Sequence, residues 1–299
     1  MNVMIAGGAG FLGRALTRAL QTNDHRVWVL TRKQKRSFPA GAQAVYWDGR
    51  TADGWGHIVN DMDVVIHLAG KSLASWPWTK VTKRAFVESR LQPGLALTAA
   101  FEQAEHRPRV FIQASGINRY GLRGNLADES TPPAGDFLAQ LTIEWEDSTK
   151  KIEELGVRRV ITRSAVVLAK AGGMLPLMAL PLKLFAGGPL GSGRQVVPWI
   201  HLADWLGAVR FLIQNESARG PFNLIAPAPA SNADFNRALA RVLHRPYWLP
   251  MPAFLLRIFL GEMSVLILEG RPAQPKRLVE LGYRFRFERP AEALADLYR

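Results

Sequence analysis

Met1-Asn-Val-Met-Ile-Ala-Gly7-Gly-Ala-Gly10-Phe-Leu-Gly13 opens the chain, and its reading decides the fold. Val3–Ala6 is an apolar run of strand length, and Phe11–Gln21 carries helical periodicity. Between and across them, Gly7, Gly10 and Gly13 form Gly-x-x-Gly-x-x-Gly. Glycines so placed allow a tight turn, close backbone approach to a pyrophosphate, and close packing of helix on strand. The helix start then offers the unpaired N–H groups of Phe11, Leu12 and Gly13, together with the positive end of the helix dipole. No Gly-Lys-Ser/Thr follows, which disfavours a nucleoside-triphosphate loop and favours a dinucleotide.

Working outward, short β-branched runs alternate with helical stretches over roughly the first 160 residues. Strands are expected at Val3–Ala6, Val27–Leu30, Ala44–Trp47, Val64–His67, Val110–Ala114 and Val157–Thr162. Helices are expected at Phe11–Gln21, Lys80–Glu105 and Phe137–Leu155. The pattern predicts an α/β fold: a Rossmann-type, doubly wound parallel sheet with right-handed crossovers. After residue 165, glycines and prolines crowd a loop-rich stretch. Helical patterns return at Ala203–Gln214, Asn232–Val242, Ala253–Phe259 and Pro275–Leu281. The expected organisation is a cofactor-binding domain over 1–165 and a smaller, mostly helical C-terminal lobe over 166–299 on the substrate side. Strands from 194–226 could return to the first sheet.

Composition removes several classes of chemistry. The chain has 299 residues and no cysteine, which excludes disulfides, zinc–cysteine sites, iron–sulfur clusters and thiol catalysis. With no secretory leader in the N-terminal sequence, a cytoplasmic location is expected. The most apolar later window, Met251–Gly270, is interrupted by Arg257 and Glu262 and reads as buried or surface helices, with no membrane partner expected. The formal charge of +13 is spread along the chain without a basic tail or stripe, so no nucleic-acid partner is expected. The six histidines lack His-x-His or His-Glu-x-x-His spacing, so no metal is expected, and the absence of Gly-x-Ser-x-Gly counts against an esterase elbow.

The one dense basic run is Arg32, Lys33, Lys35 and Arg36, at the end of the second strand. Sites that prefer NAD usually place Asp or Glu there for the ribose 2′-hydroxyl. Thr31 and Arg32 stand there instead, which suits the 2′-phosphate of NADP(H). Asp63-Val-Val-Ile-His-Leu-Ala-Gly70 ends the fourth strand in small residues, so Leu68 and Ala69 are expected to meet the dinucleotide through their backbones. Arg90, on the long helix that follows, faces either the same crevice or solvent.

Taken with Trp199-Ile-His-Leu-Ala-Asp204, these motifs resemble the extended or atypical short-chain dehydrogenase/reductase superfamily. More narrowly, they resemble the YfcH-like epimerase family, with its helical C-terminal domain of uncharacterised function. Glu88-Ser89-Arg90, Asp136-Phe137-Leu138 with Trp145-Glu146, Arg163-Ser-Ala-Val-Val-Leu168, Gly187–Gly193 with Gln195, Gly220-Pro-Phe-Asn223 and Gly261-Glu262 extend the likeness over nearly the whole chain. The resemblance implies an NADP cofactor touching Thr31, Arg32, Leu68, Ala69, Arg90 and Val167.

Short-chain dehydrogenases also carry a Ser, a Tyr and a Lys, the last two at i and i+4 on one helix face. Ser115 matches the serine position, but no Lys lies four residues after any of the five tyrosines. Phe137 and Leu141 stand where the pair belongs, and neither can titrate. Tyr120 could turn back over the crevice and supply a phenol. Glu129 and Glu146 are further acid/base candidates, and His201 borders the expected substrate side as a ligand contact or a loop cap. Trp76, Trp78, Trp145, Trp199 and Trp205 either line an apolar pocket or pack the core.

Two functions stay open at this point. One is an NADP(H)-dependent oxidoreductase or epimerase-like enzyme acting on an unidentified small carbonyl or hydroxyl compound. The other is a noncatalytic NADP(H)-binding redox sensor or partner-binding module. A monomer or homodimer is expected.

Overall fold

The computed structural model describes residues 1–23, 25–33, 38 and 41–299; Lys35 and Arg36 of the basic run lie outside them. In chain order, the first half comprises β1 (Asn2–Ala6), α1 (Phe11–Gln21), β2 (Arg26–Thr31), β3 (Ala42–Tyr46), β4 (Val64–His67), α2 (Lys80–Gln103), β5 (Val110–Gly116), α3 (Phe137–Asp147), α4 (Lys150–Glu154) and β6 (Arg158–Ser164). There follow β7 (Val166–Ala169), β8 (Gly172–Gly173), α5 (Leu175–Lys183), β9 (Val196–Val197), β10 (Trp199–His201), α6 (Leu202–Gln214) and β11 (Gly220–Leu224). The remainder is β12 (Ala230–Ser231), α7 (Asn232–Val242), α8 (Ala253–Leu260), α9 (Val265–Leu268), α10 (Lys276–Glu280) and α11 (Pro290–Tyr298).

Seven strands form one sheet in the order β11-β6-β5-β4-β1-β2-β3. Every pairing is parallel. Parallel neighbours demand crossovers, and helices cover both faces, so the central strands are apolar on both sides. Val3, Ile5, Val27, Val29 and Ile66 pack with Leu16 and Leu20 of α1 on one face. Met4, Val65 and Phe111 pack with Leu97, Ala100 and Phe101 of α2 on the other. The strand order reverses between β1 and β4, and the crevice there is where ligands of such sheets lie.

The edge strand β11 comes from residues 220–224 and pairs with β6 from Gly220↔Val160 to Leu224↔Ser164. The remaining chain builds a second core from Leu175, Trp199, Phe235, Leu239, Ala293 and Leu294. Among the described residues, no helix is long and apolar enough to cross a membrane.

Two helical expectations need correction. The stretch expected as one helix over Phe137–Leu155 breaks between α3 and α4, because Thr149 leaves helical geometry and turns its side chain inward. There Thr149 Oγ1 donates to Gln113 Oε1 and accepts from Arg159 Nε at 3.1 Å. The loop-rich stretch after residue 165 also hides α5, whose Pro176 and Pro181 read as breakers. Pro176 is compatible with the first helical turn, whose N–H groups lack intrahelical partners.

Candidate cofactor and active site

The glycine turn is built by close approach. Gly7 has φ +82°, and a Cβ there would lie 2.7 Å from the backbone of Leu68 and Ala69. The end of β4 is thereby held against the end of β1. A Cβ on Gly13 would lie 2.4 Å from Gly8 Cα, so the first turn of α1 sits directly on the loop. Gly10 N donates to Gly7 O at 3.0 Å and closes the turn. No acidic side chain occupies the first turn of α1, leaving its positive end without a built-in counter-charge.

Phe11 contributes more than its N–H. Its ring lies beneath the β7–β8 hairpin, where a Cβ on Gly172 would come within 2.5 Å of it. A Cβ on Gly173 would meet Val167 O at 3.0 Å and Phe11 at 3.1 Å. Val167 is thereby brought over the glycine turn, although more than 150 residues separate them.

At the end of β2, Lys33 N donates to Thr31 Oγ1 at 3.2 Å. This small turn leaves Arg32 exposed, with its Cδ about 3.7 Å from where a Gly49 Cβ would stand. No carboxylate belongs to the Leu30-Thr31-Arg32-Lys33 strand end.

Arg90 lies under the loop that follows β4, and a Cβ on Gly70 would meet its guanidinium carbon at 3.3 Å. Only 8% of the residue is exposed. Its guanidinium lies 4.9 Å from the Trp145 ring centroid, and Nη1 donates to Phe86 O at 3.0 Å. Among the described residues no carboxylate pairs with it. Burial pushes its pKa down to about 10, so it remains charged at neutral pH. An almost buried cation with five donors and so few partners suits an anionic or hydroxylic ligand. Beside it, burial pushes the His67 imidazole down to about 4, and its Nε2 accepts from Trp145 Nε1 at 3.1 Å.

Thus Gly7, Gly10, Phe11, Leu12, Gly13, Thr31, Arg32, Leu68, Ala69, Arg90 and Val167 all lie along the carboxyl edge of the sheet or over it. The phosphates of a dinucleotide fit the start of α1, which has no acidic residue in its first turn and no side chain capping its N–H groups.

The catalytic candidates lead inward. Ser115 Oγ donates to Glu146 Oε1 at 2.7 Å. Glu146 is clasped by Arg163, from Nε to Oε1 and from Nη2 to Oε2, each at 2.9 Å. Arg119 Nη1 stands 3.5 Å from Glu146 Oε2. Burial opposes charge on Arg163, but the hydrogen bonds and charge of Glu146 hold its pKa above the ordinary value. Tyr120 does not turn back over the crevice. It is 1% exposed, donating to Asn223 Oδ1 at 2.7 Å and accepting from Arg163 Nη1 at 2.9 Å. Burial pushes its phenol above the usual value despite the neighbouring guanidinium.

Of the other acid/base candidates, Glu129 is buried and accepts from the N–H of Asn223 at 2.9 Å and of Arg277 at 3.3 Å. Burial raises its pKa against those bonds. His201 caps α6 by accepting from Ala203 N at 3.0 Å. Phe137 is half-buried, packed by Trp78 at 6.2 Å and with Lys83 Nζ 4.8 Å from its ring centroid. Leu141 is buried. The tryptophans divide: Trp199 and Trp205 are core, Trp145 and Trp78 flank the crevice residues just described, and Trp76 is exposed.

Sequence reasoning singled out Ser115, Tyr120 and Glu146 separately and missed Arg163 as the group that joins them. Its signal was a third arginine in a short strand, between Thr162 and Ser164, at the head of the Arg163–Leu168 motif. Lys83 was also missed; it pairs with Glu262 across to the C-terminal lobe.

Comparison with known proteins places this geometry. Residues 3–224 match the NAD dependent epimerase/dehydratase family, and residues 251–297 match a domain of unknown function, DUF1731. The epimerase family protein YfhF of Bacillus subtilis is 37% identical over 299 residues, covering 99% of this chain and 98% of that one. An epimerase family protein of Staphylococcus haemolyticus is 38% identical over 296 residues, with 98% of each chain covered. Among solved structures, the human epimerase family protein SDR39U1 with NADPH aligns with a TM-score of 0.89 at 30% identity, covering 100% of this chain and 99% of that one. A nucleoside-diphosphate sugar epimerase from Corynebacterium glutamicum aligns with a TM-score of 0.80 at 28% identity, covering 100% of this chain and 58% of that one.

Proposed function

The chain belongs to the NAD dependent epimerase/dehydratase family, and from that premise we propose that it binds NADP(H) and moves hydride between the coenzyme and a small carbonyl or hydroxyl compound. The observation that carries the choice of NADP(H) is the end of β2, where Arg32 is exposed and no carboxylate is present to meet a ribose 2′-hydroxyl. The Arg32 guanidinium holds the 2′-phosphate, and Thr31 sets the turn that presents it. Gly7, Gly10 and the N–H groups of Phe11, Leu12 and Gly13 hold the pyrophosphate. Leu68, Ala69 and Val167 contact the coenzyme along the crevice, and Arg90 takes one of its oxygens. The NADPH bound by human SDR39U1 supports this reading.

When bound, the reduced nicotinamide supplies hydride from C4. The chain's own groups orient the substrate and handle its proton. Ser115 has one proton, already directed to Glu146, so its oxygen has only lone pairs to offer another group. It therefore suits accepting from a substrate hydroxyl better than donating to a carbonyl. Tyr120 spends its one proton on Asn223 and accepts from Arg163, which makes it a positioning residue for Arg163.

A second reading is a noncatalytic NADP(H)-binding sensor. It is favoured by Phe137 and Leu141 at the places of the missing Tyr/Lys pair and by the inward direction of both candidate hydroxyls. Single-turnover absorbance of protein-bound NADPH against a panel of carbonyl compounds separates the two. Oxidation that disappears in Ser115→Ala supports the enzyme, silence across the panel supports the sensor, and failure to bind NADPH at all removes both.

A further inference from the structure

The apolar window around Met251–Gly270 has no role in the cofactor site, and the structure turns much of it outward. None of the eight residues of α8 is buried. Phe254, Ile258 and Phe259 are exposed, Ile258 by 71%. At the end of α5 a second outward run, Leu184 and Phe185, is exposed as well. The runs are joined by hydrogen bonds: Trp248 Nε1 donates to Phe185 O at 3.0 Å, Trp248 N to Gly187 O at 2.9 Å, and Met251 N to Pro189 O at 2.9 Å. Trp248 is itself 64% exposed. Scattered surface leucines need no explanation, but an exposed aromatic and aliphatic cluster on two tethered helices marks a contact surface.

Charge selects the occupant. Between Glu154 and Asp204, and again between Asp234 and Glu262, the sequence has no acidic residue. The charged side chains exposed within the cluster are Lys183, Arg245 and Arg257. The Arg245 guanidinium carbon lies over the Phe185 ring, 4.7 Å from its centroid, which fixes a positive charge on the aromatic face. A two-fold pairing of this face with a second copy would oppose like charges, because the carboxylate nearest in sequence, Glu262, is already committed to Lys83. An anionic lipid surface meets both requirements, accepting aromatic and aliphatic side chains at its headgroup boundary and attracting the basic groups beside them.

We propose that this face, made by the end of α5, the 244–251 segment and α8, docks the protein peripherally on an anionic bilayer. This revises the expectation of no membrane partner without requiring a membrane-spanning helix. It is independent of the coenzyme reading.

The test is cosedimentation of the full chain with vesicles of phosphatidylcholine alone and of phosphatidylcholine mixed with phosphatidylglycerol, at low and high salt. Binding to the anionic vesicles is expected to be at least about tenfold tighter than to the neutral ones and to weaken with salt. The pair Arg245→Glu and Arg257→Glu should remove the preference, and the pair Phe254→Ser and Ile258→Ser should remove binding. Both are to be compared at an unchanged thermal unfolding midpoint. If the serine pair shifts that midpoint, Ile258→Ser alone serves, with at least about a threefold loss of binding expected. Absence of binding, equal binding to both vesicle types, or a dimer on sizing that Ile258→Ser dissolves would overturn the proposal.

Discussion

Arg163 and Glu146 meet side on, two parallel hydrogen bonds of 2.9 Å joining the guanidinium to both carboxylate oxygens within a nearly dry interior. Each partner is about 5% exposed. Removing Glu146 leaves Arg163 an uncompensated buried charge, and such losses run to about 3–5 kcal/mol, whereas removing Arg163 leaves Glu146 with Arg119 Nη1 at 3.5 Å. Glu146→Ala should lower stability by that order in urea unfolding, and Arg163→Met by less. The double variant with Glu146→Met and Arg163→Leu should recover a large part of the loss. Near-neutral single variants would mean that the pair is solvated in solution.

Arg32→Ala removes the charge at the end of β2 without disturbing a buried contact. Affinity for NADPH is expected to fall at least about tenfold while NADH affinity stays nearly constant, as expected for one charge-assisted contact to a 2′-phosphate. Calorimetry with both coenzymes measures the difference, and equal losses would remove Arg32 from the phosphate site.

Gly13→Ala introduces a Cβ 2.4 Å from Gly8 Cα, against backbone that cannot swing away. Overpacking of this kind costs about 1–3 kcal/mol, and NADPH binding should fall with it as the turn is displaced. Gly135→Ala meets nothing within 4 Å and serves as the control. A Gly13→Ala protein with unchanged melting and coenzyme affinity would contradict the packing described here.

His67 predicts a pH dependence of stability. Its imidazole is held down to about 4 by burial, against an ordinary value of 6.5. Between those limits the unfolded chain binds the proton and the folded chain does not, so stability falls as pH drops from 6.5 and the loss levels off below about 4. The full effect is roughly 3 kcal/mol. Urea unfolding across this range should show the slope, and His67→Phe should flatten it. A slope unchanged by that substitution would assign the effect to other groups.

What the sequence disclosed follows from how local the signals are. The helix Phe11–Gln21 and the strand Val64–His67 have the bounds expected from the glycine spacing and the β-branched run, because turn, cap and periodicity all lie within a few residues. The Glu146–Arg163–Ser115 cluster was not legible as a unit. Glu146 lies 31 residues from Ser115 and 17 from Arg163, and only the register Ser115↔Arg163 between β5 and β6 brings them together. The break after α3 escaped for a related reason. Thr149 is unremarkable in a helical pattern until the distant partners Gln113 and Arg159 draw it inward. Phe137 and Leu141 were informative by identity alone, since no fold gives either side chain a titrating group.

Because β6 finds its outer neighbour only in Gly220–Leu224, the nascent polypeptide cannot finish its sheet until that segment has left the ribosome. A transcript truncated between residues 164 and 220 would yield a product with Arg158–Ser164 bare along one side, a template for stray strand addition and aggregation.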